Sequence, residues 1–267
     1  MKIFVDSAEL DEIKTAFSWG IVDGVTTNPS LIKKAVDAAG KGIDMKDYIK
    51  KILETAGKGF PVSLEVIGLS EKDMYEQALK LYKMFNPLAG NVVIKIPFNP
   101  AFEENSDTKY DGLKVISKLA EKNIPVNCTL IFTPEQGLLA AKAGAKYISP
   151  FAGRIDDYIR KNAGVEFEKP DYYPAEGVGG REDNGIVSGV QLVAECVDIL
   201  ETYEMDCEVI AASLRNPRQV RECAFSGSHI GTIPFKVIEA MLQHEKTAEG
   251  VKKFTEDIVP EYSRIFK

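Results

Sequence analysis

The stretch NVVIKIP, residues 91–97, is the most informative for the fold, because it is apolar except for its ends and Lys95. A run this short and this evenly apolar is typical of a parallel strand that is buried on both faces. A one-sided antiparallel strand would instead alternate apolar and polar residues. The stretch therefore predicts a strand of a buried parallel sheet.

Seven further short apolar runs recur along the chain, with longer amphipathic stretches between them. Together with Val92–Ile96, the predicted strands are Lys2–Val5, Asp23–Val25, Pro61–Glu65, Pro125–Cys128, Lys146–Ser149, Glu208–Ala212 and His229–Thr232. Strands and helices that alternate through eight strands predict an α/β protein, a single (β/α)8 TIM barrel over residues 1–267. The alternative is an open, doubly wound sheet, because a strand count from one sequence errs by about one or two.

Helix starts are readable from their capping residues. Thr133-Pro134-Glu135-Gln136 offers a capping Thr, a Pro at the first helical position and a Gln three residues after the cap. Asn216-Pro217-Arg218-Gln219 repeats this arrangement. The polar segment 157–185, rich in Gly, Pro and Tyr, is predicted to be a long loop insertion, either functional or merely solvated. Residues 235–267 are predicted to form additional C-terminal helices, one over 235–244 and one over 247–267.

Composition narrows the class of function. A net charge of −7 argues against binding to nucleic acid or to a membrane surface, so an anionic substrate would need local basic residues. Four scattered cysteines read as buried thiols in a reducing compartment, and the two histidines exclude a three-His zinc site. The early acidic residues are unlike a signal peptide, and no apolar run reaches the roughly 20 residues of a membrane span. We expect a cytoplasmic protein.

Polar residues stand where the predicted strands run into their following loops. In a parallel barrel these positions share one face, which carries the active site. We call this set the strand-end ring; its members are Asp6, Thr26, Thr27, Asn28, Glu65, Lys95, Asn127, Thr129, Arg154, Ser213 and Arg215. Each alone has an ordinary explanation as a helix cap, a strand residue or a surface charge. Together they have the composition of a site for carbonyl chemistry.

Lys95 has two interpretations. A lysine near a strand end can extend its head group back to water. A lysine that stays buried is instead favoured in its neutral form, and the neutral amine is the nucleophile that forms a Schiff base with a ketone. The resulting iminium acts as an electron sink, and a nearby carboxylate can remove a hydroxyl proton so that the adjacent carbon–carbon bond breaks. This chemistry requires neither a metal nor an organic cofactor.

Seven segments of the chain resemble the transaldolase family of class I aldolases. They are FVDSA (4–8), TTNPSL (26–31), SLEV (63–66), VVIKIP (92–97), NCTLIF (127–132), SPFAGRI (149–155) and AASLRNPRQ (211–219). The resemblance implies that Lys95 forms the Schiff base, that Asp6 is the general base for C–C cleavage, and that Glu65 and Thr129 act through a water molecule. It also implies a dihydroxyacetone site and a phosphate site. The dihydroxyacetone residues would be Thr26, Asn28, Asn127 and Ser213, and the phosphate residues Arg154 and Arg215.

The same resemblance bears on the reaction type. Glu65 and Phe151 are transaldolase-like, whereas the fructose-6-phosphate aldolases of the family resemble a pattern with Gln and Tyr there. The expected activity is transfer of a dihydroxyacetone unit from sedoheptulose 7-phosphate or fructose 6-phosphate to an aldose phosphate, in the pentose phosphate pathway. The alternatives are an aldolase on the same site and a non-catalytic barrel that binds sugar phosphates. By analogy with the family, we expect a homo-oligomer.

Overall fold

Eight parallel strands close into a barrel in sequence order in the computed structural model of the protein. The structure describes residues 1–40, 42, 44–103 and 106–267. The strands are β1 Lys2–Asp6, β2 Gly24–Thr26, β3 Val62–Glu65, β4 Val92–Pro97, β5 Val126–Ile131, β6 Tyr147–Pro150, β7 Glu208–Ala211 and β8 Ile230–Ile233. All eight predicted strands and the barrel are confirmed, and the pairing of β1 with β8 excludes the open sheet. β5 extends three residues further than predicted, and the other ends move by one residue or none.

Helices follow the strands and form the outer layer. They are α1 Leu10–Ser18, α2 Pro29–Ala39, α3 Met45–Ala56, α4 Glu71–Ala89, α5 Asp111–Ala120, α6 Pro134–Lys142, α7 Ala152–Asn162, α8 Gly189–Thr202, α9 Pro217–Phe225, α10 Phe235–Met241, α11 Glu245–Glu256 and α12 Pro260–Ser263. The predicted caps are present. Thr133 Oγ1 accepts from the Gln136 backbone N–H at 3.3 Å, and Asn216 Oδ1 accepts from the Gln219 N–H at 2.9 Å.

The predicted loop insertion 157–185 begins later than expected. Helix α7 continues to Asn162, so the first six residues of that segment are helical. Ile155 and Ile159 are both buried one turn apart, and this core-facing pair sustains the helix despite its polar neighbours. The irregular segment therefore runs over residues 163–188, up to the start of α8. The predicted terminal helix over 247–267 is also divided, because Pro260 begins a new short helix.

Apolar side chains occupy two separate regions, because successive residues of a strand point to opposite faces of the sheet. The larger region lies between the strands and the helices and includes Val5, Ile94 and Cys128. The smaller region is a separate cluster that we call the barrel floor. Its members are Phe4, Val93, Tyr147, Ile210 and Ile230. Asp6, Lys95, Ser149 and Thr232 lie two residues further along four of these strands and so share the inward side.

Gly24 makes room for the barrel floor. A Cβ atom at this position would lie 2.7 Å from the ring of Phe4, its partner on β1. The predicted buried thiols are confirmed, since all four cysteines are buried and free. Burial raises the pKa of Cys196 and of Cys207 to about 12, so both stay protonated at neutral pH. In the described part of the chain, no helix has the length and apolar character needed to span a bilayer.

Candidate active site

Lys95 lies inside the barrel and is only 5% exposed. Its Nζ lies 3.3 Å from Glu65 Oε2 and donates to the backbone oxygen of Thr27 at 3.2 Å. The register of β3 and β4 pairs Glu65 with Lys95 directly. The interpretation in which Lys95 reaches back to water is therefore wrong, because the amine is held among strand ends by a carboxylate and a carbonyl.

Asp6 is the last residue of β1 and is held by a hydroxyl group. Thr26 Oγ1 donates to Asp6 Oδ1 at 2.7 Å and also contacts Thr232 Oγ1. Burial raises the pKa of Asp6, and the positive charge of Lys95, the Thr26 hydrogen bond and the charge of Arg215 oppose this effect. Asp6 therefore lies within the electrostatic reach of both Lys95 and Arg215. A carboxyl group with a raised pKa is suited to exchange protons with a substrate near neutral pH.

Asn127 is fully buried between two serines. Its Nδ2 donates to Ser63 Oγ at 3.2 Å, and its Oδ1 accepts from Ser149 Oγ at 2.7 Å. This bonding fixes the orientation of the amide and leaves one N–H hydrogen for a substrate oxygen. Asn127 also pairs with Lys95 in the register of β4 and β5, so both side chains face the same space.

Thr129 has a buried hydroxyl group. It is 1% exposed, and its Oγ1 has no hydrogen-bond partner among the described residues. The strand is irregular here, since the β5–β6 register shifts between Cys128 and Ile131 and Leu130 has a φ of 60°. A buried hydroxyl without a partner is costly unless a water or a substrate completes it.

Asn28 has the capping role that its sequence position also allows. Its Oδ1 accepts from the Leu31 N–H at 3.0 Å and begins α2. Its side-chain oxygen is therefore committed, and only its NH2 group is left to meet a substrate.

Two arginines and Phe151 form the rim of the site beyond β6 and β7. The guanidinium group of Arg154 lies 4.9 Å from the centre of the Phe151 ring. Arg215 is half-buried and donates from Nη2 to Asp157 Oδ2 at 3.0 Å. Gly153, which precedes Arg154 in the chain, lies against Arg215, because a Cβ atom there would lie 2.6 Å from Arg215 Nε.

The predicted residues at the ends of β1 to β5 thus meet at one face of the barrel, with Phe151, Arg154 and Arg215 at its rim, but three partners are missing from the prediction. Ser63 and Ser149 hold Asn127, and Thr232 completes a hydroxyl pair with Thr26. Thr232 is the last residue of the predicted eighth strand and the last but one of β8, so the search for polar residues at strand ends would have found it had it included that strand. Among the described residues, no group of three His, Cys, Asp or Glu side chains is arranged to hold a metal ion.

Comparison with known proteins agrees with this geometry. The family model described as Transaldolase/Fructose-6-phosphate aldolase matches residues 3–265. The chain belongs to this family. A probable transaldolase of Caldicellulosiruptor saccharolyticus is 41% identical over 258 residues, which cover 96% of each chain. Those of Aquifex aeolicus and Thermoplasma acidophilum are each 40% identical over 96% of this chain and cover 96% and 95% of their own lengths.

Membership makes the protein an enzyme of the transaldolase family, which processes sugar phosphates. The family description covers both transaldolases and aldolases, so membership alone does not choose between transfer and cleavage. The resemblance seen in the sequence is confirmed over nearly the whole chain.

Proposed function

We propose that the protein is a transaldolase that acts through a Schiff base on Lys95. The observation that carries this proposal is the buried amine of Lys95, 3.3 Å from the carboxylate of Glu65. Neither a structural barrel nor a simple binding protein needs a lysine in this position, since burying an amine is costly. An amine held next to a proton carrier is what carbinolamine formation and dehydration require.

Three groups divide the chemistry. The amine of Lys95, once it has lost a proton, adds to the ketone carbon of the donor, and the carbinolamine loses water to form an iminium. Glu65 and Thr129 transfer the protons of these steps through a water molecule, for which the Thr129 hydroxyl, without a partner among the described residues, is available. Asp6 then removes the proton of the C4 hydroxyl group, and the C3–C4 bond breaks to release an aldose phosphate.

The remaining enamine carries the dihydroxyacetone unit. It attacks the aldehyde carbon of an acceptor aldose phosphate, and Asp6 returns the proton to the new alkoxide. Hydrolysis of the iminium then releases a ketose phosphate that is three carbons longer than the acceptor. Thr26, Asn28, Asn127 and Ser213 hold the hydroxyl groups of the three-carbon unit during these steps.

The phosphate group is bound at the rim by Arg154 and Arg215. The chain carries a net charge of −7, so these guanidinium groups provide the local attraction that an anionic sugar needs. Arg215 Nε is buried and has no partner among the described residues. This N–H is therefore available to a phosphate oxygen.

Phe151 favours transfer over cleavage. A tyrosine hydroxyl at this position would be able to orient water towards the enamine, and phenylalanine has none. The relatives named probable transaldolases support the same choice. The donor would be sedoheptulose 7-phosphate or fructose 6-phosphate. The enzyme would then act in the pentose phosphate pathway, in the cytoplasm, and would need no cofactor.

We further propose that the protein is a homo-oligomer. Helices α11 and α12 with the turn that follows expose large apolar side chains. These are Val251, Phe254, Ile258, Val259, Tyr262, Ile265 and Phe266. Contiguous exposed apolar residues mark surfaces that pack against another chain. Light scattering of the full chain, with Phe254→Glu as the comparison, tests this, and a monomeric parent would contradict it.

Product analysis with fructose 6-phosphate tests the main proposal. We expect dihydroxyacetone transfer only when an acceptor aldose phosphate is added, and borohydride trapping of the donor on Lys95 alone. Lys146→Met is the matched control, since Lys146 pairs with Asp206 outside the strand-end ring and should keep activity. Full activity in Lys95→Met, or an adduct on another lysine, would rule out the mechanism. Rapid dihydroxyacetone release without acceptor would identify an aldolase instead.

A further inference from the structure

Asp157 lies between two guanidinium groups next to the strand-end ring. Its Oδ2 accepts from Arg215 Nη2 at 3.0 Å, and its Oδ1 accepts from Arg160 Nη2 at 3.3 Å. Both acceptor oxygens of one carboxylate are therefore used, one by each arginine. The pairs are partly shielded from water, because the side chain of Asp157 is 22% exposed and that of Arg160 is 6% exposed.

The contact with Asp157 uses only Nη2 of the Arg215 guanidinium group. Nε of Arg215 is buried and has no partner in the part of the chain that the structure describes. The side chain also passes over Gly153, where a Cβ atom would lie 2.8 Å from Arg215 Cγ. Arg215 is thus fixed between the backbone of α7 and Asp157, while Nε keeps its N–H for another acceptor.

The neighbouring carboxylate, Asp156, fixes the backbone of the same loop. The backbone N–H of Arg215 donates to Gln219 Oε1 at 2.8 Å, and Gln219 Nε2 donates to Asp156 Oδ2 at 2.7 Å. Asp156 Oδ1 in turn accepts from the Gly189 N–H at 2.7 Å. Two consecutive residues of α7 therefore hold Arg215, one through its side chain and one through its backbone.

Arg160 explains how Asp157 can orient Arg215 without cancelling its charge. A carboxylate that paired with Arg215 alone would neutralise the group that is to attract an anion. Here one carboxylate serves two guanidinium groups, so the three side chains together keep a positive charge. Burial also raises the pKa of Asp156 to about 7, which limits the negative charge that Asp156 adds nearby at neutral pH.

Arg160 is itself held by the irregular segment 163–188. Its Nη1 donates to the Asp171 backbone oxygen at 3.3 Å, and its guanidinium lies 4.1 Å from the centre of the Phe167 ring. The second cation is thus supplied from a fixed position rather than from a freely moving surface side chain.

We propose that Asp157 is a positioning residue that aims the guanidinium group of Arg215 at the phosphate of the substrate. The proposal rests on the phosphate-binding role proposed above for Arg215. It assigns no chemical step to Asp157, which acts only through its neighbour.

A double-mutant cycle on fructose 6-phosphate kinetics tests the proposal. Asp157→Ala should raise KM for fructose 6-phosphate about 10-fold with little change in kcat, since it loosens a charge-assisted contact. The kcat/KM for unphosphorylated fructose should stay within about 2-fold of the parent. In an Arg215→Ala background, Asp157→Ala should change KM by less than about 2-fold, because its effect passes through the missing side chain.

Two further variants separate positioning from folding. Asp157→Asn keeps an oxygen that can accept from Nη2, so its KM should return to within about 3-fold of the parent. Asp206→Ala removes an exposed carboxylate from an ion pair with Lys146 and should leave all constants unchanged. Equal losses on both sugars, or additive losses in the double variant, would overturn the positioning role. An effect of Arg215→Ala without any effect of Asp157→Ala would do the same and leave the phosphate site intact. If Arg215→Ala itself left KM unchanged, the phosphate role would fall and the positioning role with it.

Discussion

Glu65 and Lys95 face each other across neighbouring strands, with Oε2 and Nζ 3.3 Å apart. The strand register pairs these two residues, so their separation is set by backbone hydrogen bonds and not by loop geometry. Asp6 stands on the other side of β2, where it pairs with Thr26. The two carboxylates therefore have different partners, an amine for Glu65 and a hydroxyl for Asp6, which leads us to assign them different steps.

Asp6→Ala should still form the borohydride-trappable adduct, whereas C–C cleavage should fall by about 100-fold or more, the usual scale for loss of a general base. Glu65→Ala should instead slow formation of the adduct, because Glu65 is the carboxylate next to the amine. Rapid mixing followed by borohydride quench measures both steps. Loss of the adduct in Asp6→Ala with its survival in Glu65→Ala would mean that the two roles are exchanged.

Thr26→Val should move the acid limb of the kcat/KM profile to higher pH. Burial raises the pKa of Asp6, and the Thr26 hydrogen bond at 2.7 Å is among the interactions that lower it. Asp6 works as a base only when it is deprotonated, so activity falls as the pH drops through this pKa. Removing the hydroxyl destabilises the carboxylate, which raises the pKa and makes the loss begin at a higher pH. Thr15→Val, on the exposed side of α1, is the control, and an unmoved limb in Thr26→Val would remove Asp6 as its source.

Arg154→Ala and Arg215→Ala should each raise KM for phosphorylated sugars by about 10-fold or more, as expected for loss of a charge-assisted hydrogen bond worth roughly 1.5–3 kcal/mol. Arg215 is the more buried of the two, and its Nε has no partner in the described part of the chain, so its replacement should have the larger effect. Steady-state kinetics with phosphorylated and unphosphorylated ketoses separate the phosphate from the rest of the substrate. Equal effects on both kinds of ketose would contradict the assignment.

Phe151→Tyr should increase release of free dihydroxyacetone relative to transfer. The Phe151 ring lies between Phe132, with ring centres 5.8 Å apart, and the guanidinium of Arg154. A tyrosine ring adds little volume, so folding should be retained, and its hydroxyl would bring a proton donor to the rim. The measurement is dihydroxyacetone release without acceptor, set against transfer to an added aldose phosphate. An unchanged ratio would remove Phe151 as the cause of the preference.

Gly153→Ala should destabilise the protein and weaken phosphate binding together. The added Cβ would lie 2.1 Å from the Ser213 backbone oxygen, so the loop that carries Arg215 must move. We expect a loss of about 1–3 kcal/mol in the free energy of unfolding, the usual cost of overpacking, and a higher KM for fructose 6-phosphate. Gly250→Ala is the matched control, because a Cβ there has no neighbour within 4 Å and the residue lies inside α11. Urea denaturation compares the two, and equal stability of both variants would contradict the close contact.

The barrel and the positions of the strand-end residues were predictable, because hydrophobic runs and helix caps are local patterns. The side-chain network was not, since it depends on how distant strands meet. Thr232 reaches Thr26 only because β8 closes against β1, and their hydroxyl groups are 206 positions apart in the chain. Composition also misled at residues 157–162, where charged side chains cover a helix that buries Ile159 on its other face. The pairing of Asp157 with two arginines could not be predicted from the sequence either, because the sequence does not distinguish an exposed aspartate from one that pairs with two arginines.

The barrel floor has a consequence for how substrates and products enter and leave the enzyme. Phe4, Val93, Tyr147, Ile210 and Ile230 fill the interior below the strand-end ring and are all buried. A pocket that is closed at its base has a single opening. The donor, the departing aldose, the incoming acceptor and water would therefore all pass through that opening. Whether the proposed enamine reacts with an acceptor or with water then depends on which of the two enters through that opening first. Changes to the loops around the entrance would shift this competition without touching any residue that handles a proton.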